Sequence, residues 1–358
     1  MHPLENITWD DFQKMALVDR CPYFLDEGRF FHVLYAQQFG RRELDRLGAL
    51  ATHIRFIAKS VQGMRFLESQ LFHRRAMLYF SQPSTRTFLS FCAACEILGM
   101  KLGEVRDTAT SSEFKGESRE DSVRTFSSYF DLIIMRSEEG GLAERMAWTL
   151  SNSERPVPII NAGSGKDQHP TQALLDVYTL QRSFESRGGI DGKRIVFVGD
   201  LKRGRTVRSL ASLLTKYEGV RQCFVAPPQL QIGGDILDML RRAGTEFELT
   251  DDLDGQISDA DAIYMTRVQD EWDAVDGASA PVDTSRFWFT AEHLRRLRPN
   301  AILMHPLPRR REIPPEVDRD PRAMYWRQMR NGMWIRTALI ATIFGCDGAI
   351  DDYHENRK

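Results

Sequence analysis

Ala76-Met77-Leu78-Tyr79-Phe80-Ser81-Gln82-Pro83-Ser84-Thr85-Arg86-Thr87 opens the most legible stretch of the chain, and Phe88, Leu89, Phe91, Cys92, Cys95 and Leu98 continue it at helical spacing. Ala76–Phe80 is apolar and reads as a strand, and the run from Thr87 reads as a helix, so the segment between them is a strand-to-helix loop. Pro83-Ser84-Thr85-Arg86-Thr87 crowds hydroxyls, backbone N–H groups and a guanidinium at that helix start. The unpaired N–H groups and positive dipole end of a helix attract an anion, and an arginine fork matches phosphate oxygens. An ordinary Ser/Thr N-cap accounts for one hydroxyl and leaves Arg86 and Thr87 unexplained. The segment therefore reads as a phosphate cradle.

Outward from this unit the same alternation recurs. Leu132–Met135 precedes Leu142–Leu150, and Val157–Asn161 precedes Thr171–Arg182. The polar run Gln181–Gly189 breaks the pattern, and Arg194–Val198 begins a second series through Val207–Leu214, Cys223–Ala226, Ile236–Arg242, Ala262–Thr266 and Ala301–Met304. Strands alternating with helices predict parallel sheets flanked by helices. The expected fold is α/β with two domains, residues 46–182 plus 325–350 and residues 183–324, and an active site in the cleft between them. Residues 1–45, rich in aromatics and charge without a clear period, read as an N-terminal extension. Met333–Phe344, with Trp334, Ile335, Ala338, Leu339, Thr342 and Ile343 on one face, reads as a helix crossing back to the first domain.

The chain has 358 residues, 42% of them apolar, and a net charge of −2, enough for two cores and without the charge bias of a nucleic-acid partner. No apolar run approaches the roughly 20 residues of a membrane span. Met1–Asn6 lacks a basic start and an apolar core, so no secretion signal is expected and the cytosol is the expected location. Five scattered cysteines argue for a reducing compartment rather than a disulfide framework. Cys92 and Cys95 have the spacing of a metal or redox pair but fall inside a helical apolar run without a second ligand pair, and read as small core residues. No metal or cofactor is expected.

Other segments carry candidate chemistry. His169-Pro170-Thr171-Gln172 opens a helix, and an imidazole there is held neutral by the dipole end and can donate to a carbonyl oxygen; a partly buried capping residue explains it equally well. Arg136 closes an apolar strand at its carboxyl end, where α/β domains present binding groups, unless it simply faces water. Ser111–Ser118 is a polar, Gly-containing loop carrying Lys115. Gly199-Asp200-Leu201-Lys202-Arg203-Gly204-Arg205-Thr206 comes close to a nucleotide-binding loop, but Arg205 replaces its lysine and Asp200 repels phosphates. The arginine fork suits a carboxylate. Thr266-Arg267-Val268-Gln269 ends a strand and puts Arg267 and Gln269 on one face at period two. Arg205 and Arg267 together imply a dicarboxylate. Met304-His305-Pro306-Leu307-Pro308-Arg309 is a stiff segment whose exposed carbonyls suit an amine, or else a plain rigid turn.

The order of these motifs over about residues 75–345 resembles the aspartate/ornithine carbamoyltransferase family, on its aspartate branch. The resemblance implies a transferase that moves the carbamoyl group of carbamoyl phosphate to L-aspartate in pyrimidine biosynthesis, with the first domain binding carbamoyl phosphate and the second aspartate. It implies Ser84, Thr85, Arg86 and Thr87 on the phosphate, and Arg136, His169 and Gln172 on the carbamoyl group. Ser111 and Lys115 resemble a loop inserted into a neighbouring subunit's site, which implies a homotrimer; Lys115 also serves the aspartate. Arg205, Arg267 and Gln269 hold the aspartate carboxylates, and the Pro306 and Leu307 carbonyls orient the reacting groups. Arg86, Lys115, Arg136 and His169 are the implied catalytic set.

Departures from the family pattern are Phe88 where a second arginine is usual, Ser137 where a histidine commonly follows Met-Arg, and Trp272 in place of an arginine. Phe88 implies a lost supporting salt bridge and a changed packing face. The alternatives are an ornithine- or other amine-specific relative, or a non-catalytic homologue that binds carbamoyl phosphate. The ornithine branch resembles His-Cys-Leu-Pro where this chain has His305-Pro306-Leu307-Pro308.

Overall fold

A computed structural model of the chain describes residues 7–106, 116–165, 168–268 and 283–357. Two compact units divide it, Met1–Leu174 with Gly332–Lys358, and Leu175–Asn331.

The first unit begins with two short helices, α1 (Trp9–Lys14) and α2 (Leu17–Arg20), and a two-stranded ribbon, β1 (Leu25–Asp26) with β2 (Arg29–Phe30). Helices α3 (Arg41–Ile57) and α4 (Val61–Glu68) lead to β3 (Arg75–Phe80), α5 (Thr85–Ile97) and β4 (Lys101–Val105). Then come α6 (Arg119–Tyr129), β5 (Leu132–Ser137), α7 (Leu142–Ser151), β6 (Ile159–Ser164) and α8 (Pro170–Phe184). The sheet order is β4-β3-β5-β6, all parallel. Strands β5 and β6 are buried throughout and β3 from its second residue, the signature of a sheet covered on both faces.

The second unit holds β7 (Arg194–Val198), α9 (Arg205–Leu214), β8 (Arg221–Val225), α10 (Gly234–Arg242), β9 (Phe247–Thr250), β10 (Ala262–Met265), α11 (Ala291–Arg296) and β11 (Ile302–Met304). Its sheet order is β11-β10-β7-β8-β9, again all parallel. One core, including Val196, Val198, Val225, Ile263, Phe289, Leu303 and Tyr325, fills one side of it. Helix α12 (Tyr325–Ile343) returns the chain to the first unit, and α13 (Asp347–Glu355) ends it.

Several expectations differ from what is seen. The unit boundaries fall inside α8 and α12, at 174/175 and 331/332, rather than at 182/183 and 324/325. A polar composition break does not mark them because Gln181–Phe184 is still helix, with Phe184 1% exposed. Residues 7–45 dock on the first unit. Phe12, Phe24 and Tyr35 pack into the core of the first unit with Met146 and Leu150, and Val33 pairs in parallel with Ile160 on the edge of β6. Helix α12 starts at Tyr325 and is buried all round from Ile335 to Ala341, not along one face. Its polar members Arg336 and Thr337 tolerate this because both are hydrogen-bonded.

Candidate active site

In the first unit the strand order reverses between β3 and β5, so the loops after these strands flank the point where parallel sheets present ligand groups. The loop after β3 is pinned to the end of β5: the Ser81 and Gln82 N–H groups donate to the Arg136 carbonyl at 3.0 and 3.4 Å. Helix α5 follows, with Ser84 as N-cap in extended conformation. The Ser84 hydroxyl makes no capping hydrogen bond, and Thr85 and Arg86 are exposed. Ser84, Thr85 and Arg86 thus stand together at the solvent-facing start of the helix. Thr87 and Phe88 turn inward and are buried.

Arg136 is 8% exposed and not a surface residue; its Nη1 donates to the Ala162 carbonyl at 3.0 Å. Gly163 makes room for it. A Cβ at Gly163 would stand 2.6 Å from Arg136 Nη1 and 3.4 Å from His169 Cδ2, in a backbone with φ +121° that side chains rarely adopt. Arg136 and His169 therefore border the same point. His169 is 4% exposed, immediately before Pro170 at the start of α8, and Gln172 lies in the first turn with its N–H on the His169 carbonyl at 3.0 Å.

In the second unit the order reverses between β10 and β7, and β11 lies beyond β10. Strands β7 and β10 end level, Val198 beside Met265, and β11 ends one residue earlier, Met304 beside Tyr264. After β7, buried Asp200 accepts the Arg203 N–H at 3.1 Å and shapes the loop that places half-buried Arg205 at the first position of α9. Gly204 is needed there, since a Cβ would lie 2.8 Å from the Asp200 carbonyl oxygen. Asp200 is thus engaged in the loop's own structure. After β10, Thr266 still donates to the Val198 carbonyl at 2.8 Å, and half-buried Arg267 follows. Strand β10 ends at Met265, so the period-two argument for Arg267 and Gln269 does not hold; Gln269 lies outside the described residues.

After β11 the chain runs through His305, Pro306, Leu307 and a cis Leu307–Pro308 peptide, with Leu307 at φ 56°. Pro306 and Leu307 are half-buried. Arg309 forms a two-pronged pair with Asp318, which also accepts the Tyr325 hydroxyl, while Arg310 and Arg311 are exposed. The hydrogen bond from Arg309, opposed by burial, holds the Asp318 carboxyl below the usual carboxylate range.

Ser84, Thr85, Arg86, Thr87, Arg136, His169 and Gln172 thus gather at strand ends and helix starts of the first unit, and Arg205, Arg267, Pro306 and Leu307 at those of the second. Ser111, Lys115 and Trp272 lie outside the described residues. At Phe88 the usual arginine is absent, yet a guanidinium reaches the place: Arg106, beyond β4, stands 4.3 Å above the Phe88 ring. Cys95 is buried and Cys92 half-buried on α5, and burial above all pushes the Cys92 thiol up to about 11. Arg336 escaped sequence reasoning altogether. From α12 it donates to Ser90 in the second turn of α5 at 2.7 Å and to Thr171 in the first turn of α8 at 3.4 Å, tying the two helices together. Its partners are 246 and 165 residues away, so no local pattern signals it.

The chain is similar to known proteins over most of its length. The family model described as aspartate/ornithine carbamoyltransferase, carbamoyl-P binding domain, matches residues 32–182, and that for the Asp/Orn binding domain matches residues 191–343. The chloroplastic aspartate carbamoyltransferase of Arabidopsis thaliana is 42% identical over 314 residues, 86% of this chain and 76% of that protein. The aspartate carbamoyltransferase catalytic subunit of Vibrio cholerae is 43% identical over 272 residues, 76% of this chain and 85% of that one. A solved structure of aspartate transcarbamoylase from Trypanosoma cruzi, in complex with aspartate and phosphate, is similar with a TM-score of 0.76 at 34% identity, covering 87% of this chain and 95% of that one.

Proposed function

The chain belongs to the aspartate/ornithine carbamoyltransferase family, and from that membership we propose that it is an aspartate carbamoyltransferase, a transferase of pyrimidine biosynthesis. It moves the carbamoyl group of carbamoyl phosphate to the amine of L-aspartate, giving N-carbamoyl-L-aspartate and phosphate. The observation that carries this is the sorting of donors and acceptors. One unit offers a helix start with Ser84, Thr85 and Arg86 beside Arg136 and His169, and the other offers two arginines and a loop of carbonyls.

The chemistry asks for positioning and charge more than for a nucleophile. Ser84, Thr85, Arg86 and Thr87 hold the phosphate. Arg136 and His169 donate to the carbamoyl oxygen, where negative charge grows as the aspartate nitrogen bonds to the carbamoyl carbon. Gln172 fixes the carbamoyl group. Arg205, Arg267 and Gln269 bind the two aspartate carboxylates. The Pro306 and Leu307 carbonyls can only accept, so they orient the N–H groups of the amine and the carbamoyl. The bond from carbon to the bridging oxygen then breaks, and phosphate leaves with the proton lost from the amine.

The test is the acceptor. With carbamoyl phosphate and, separately, L-aspartate, ornithine or putrescine, the purified chain is expected to form product with aspartate only. Turnover with ornithine or putrescine, or with no acceptor at all, contradicts the assignment.

The proposal extends to a cytosolic homotrimer, with Ser111 and Lys115 completing a neighbouring subunit's site. Cys92, Cys95, Cys223 and Cys346 are free thiols, in keeping with a reducing compartment. Mixing inactive Lys115→Ala and His169→Ala chains is expected to restore activity, because some mixed sites receive neither lesion. No recovery after verified subunit exchange contradicts a shared site.

A further inference from the structure

We propose that His305 and Glu312 are a positioning pair that holds Leu307 in its left-handed conformation and so aims the Pro306 and Leu307 carbonyls; this rests on the reading above. Among the described residues only Glu27 and Leu307 are non-glycine residues with positive φ. A bulky side chain avoids that region, so something must hold Leu307 there. The Leu307 N–H donates to His305 Nδ1 at 2.7 Å, and His305 Nε2 lies 2.9 Å from Glu312 Oε1. The same carboxylate oxygen accepts the Arg310 N–H at 3.0 Å, closing the loop on itself. His305 is 1% and Glu312 7% exposed. The His305 N–H in turn donates to Gln328 Oε1 at 2.9 Å, and Gln328 Nε2 donates to Asp176 at 2.6 Å, which also accepts the Tyr264 hydroxyl at 2.8 Å.

The tautomer follows from the donors. A backbone N–H can only donate, so Nδ1 carries a lone pair, and the ring proton sits on Nε2 and donates to Glu312. A second proton would sit on Nδ1 and face the Leu307 N–H. Charged groups around the ring are Glu312, Arg267 from the end of β10, and Arg309, itself paired with Asp318; Gln328 is neutral. Burial most of all holds the His305 pKa below its ordinary value; Arg267 and Arg309 act in the same direction, and Glu312 opposes. The folded state thus binds this proton less readily than the unfolded chain. Its stabilising effect is complete above about pH 6.5 and is lost as pH falls below that.

The test separates acceptor geometry from bulk. Asparagine can place an oxygen near the Nδ1 position, whereas glutamine reaches the Nε2 position and leaves the Leu307 N–H without its acceptor. His305→Gln is expected to lower kcat by about 100-fold, and His305→Asn by only about fivefold. Inhibition by inorganic phosphate, which engages first-unit groups, stays within about twofold in both. The acid decline of kcat below about pH 6.5 is expected to weaken in His305→Asn. Hydrogen exchange at the Leu307 amide, which needs no turnover, is expected to be slow in the unaltered chain and His305→Asn and fast in His305→Gln. Should His305→Gln not fold, Glu312→Gln, which still accepts from Nε2, against Glu312→Leu makes the same comparison. Fast exchange in the unaltered chain, or equal kcat in the Asn and Gln variants, overturns the inference. An unaltered chain that protects this amide but does not carbamoylate aspartate overturns the functional reading instead.

Discussion

In the first unit the strand order turns at β3 and β5, and the groups offered there are the backbone and hydroxyl donors of a helix start, with Arg86 exposed and Arg136 buried. In the second it turns at β10 and β7, and the groups are two arginine side chains and a proline-bracketed loop held in a disfavoured backbone conformation. Under the proposed function, one topology serves two kinds of ligand. A phosphate is compact and takes converging N–H donors, as a helix N-terminus supplies them. An amino dicarboxylate has two separated acids and an amine, so it needs two forks set apart and carbonyl acceptors between them.

The largest effect expected is on the first unit. Arg86→Ala is expected to lower kcat by on the order of 100-fold or more, since it removes a donor to charge that moves onto the leaving phosphate. Steady-state kinetics check this, and near-normal turnover breaks the assignment of that helix start.

Paired glycine substitutions sharpen the contrast at intermediate size. Gly163→Ala forces a Cβ against Arg136 in a backbone of φ +121°, and is expected to cost roughly 1–3 kcal/mol of stability and to raise the KM for carbamoyl phosphate. Gly204→Ala presses on the Asp200 carbonyl and shifts the start of α9, so the KM for aspartate is expected to rise while phosphate inhibition is kept. Denaturant unfolding and substrate titrations read both; identical kinetic changes in the two variants erase the division of labour.

The smallest effect compares two helix starts. Ser118 caps α6 by accepting the Asp121 N–H at 3.1 Å, and Ser118→Ala is expected to cost about 1 kcal/mol. Ser84 makes no such bond, so Ser84→Ala is expected to cost less stability and to weaken phosphate inhibition instead.

Central strands were legible in the sequence because burial on both faces leaves plain apolar runs: Ala76–Phe80, Leu132–Met135 and Arg194–Val198 lie in β3, β5 and β7. The edge strands β4 (KLGEV) and β9 (FELT) were not, since each has exposed positions and no apolar run. Site residues at strand ends and helix starts could be read from local pattern, as with Arg86, Arg136 and His169. Arg336 and the docking of Phe12 and Phe24 depend on contacts between distant segments, which spacing does not encode. His305 and Glu312 are only seven apart, yet their pairing depends on the turn that Leu307 makes.

Binding of carbamoyl phosphate to the Arg86→Ala and Arg267→Ala chains, measured at equilibrium without aspartate, tests the division between the units most directly. Arg86→Ala is expected to weaken binding by about tenfold or more, as loss of a charge-assisted hydrogen bond does, and Arg267→Ala to leave it within about twofold. Equal weakening in both, or loss in Arg267→Ala alone, contradicts the account.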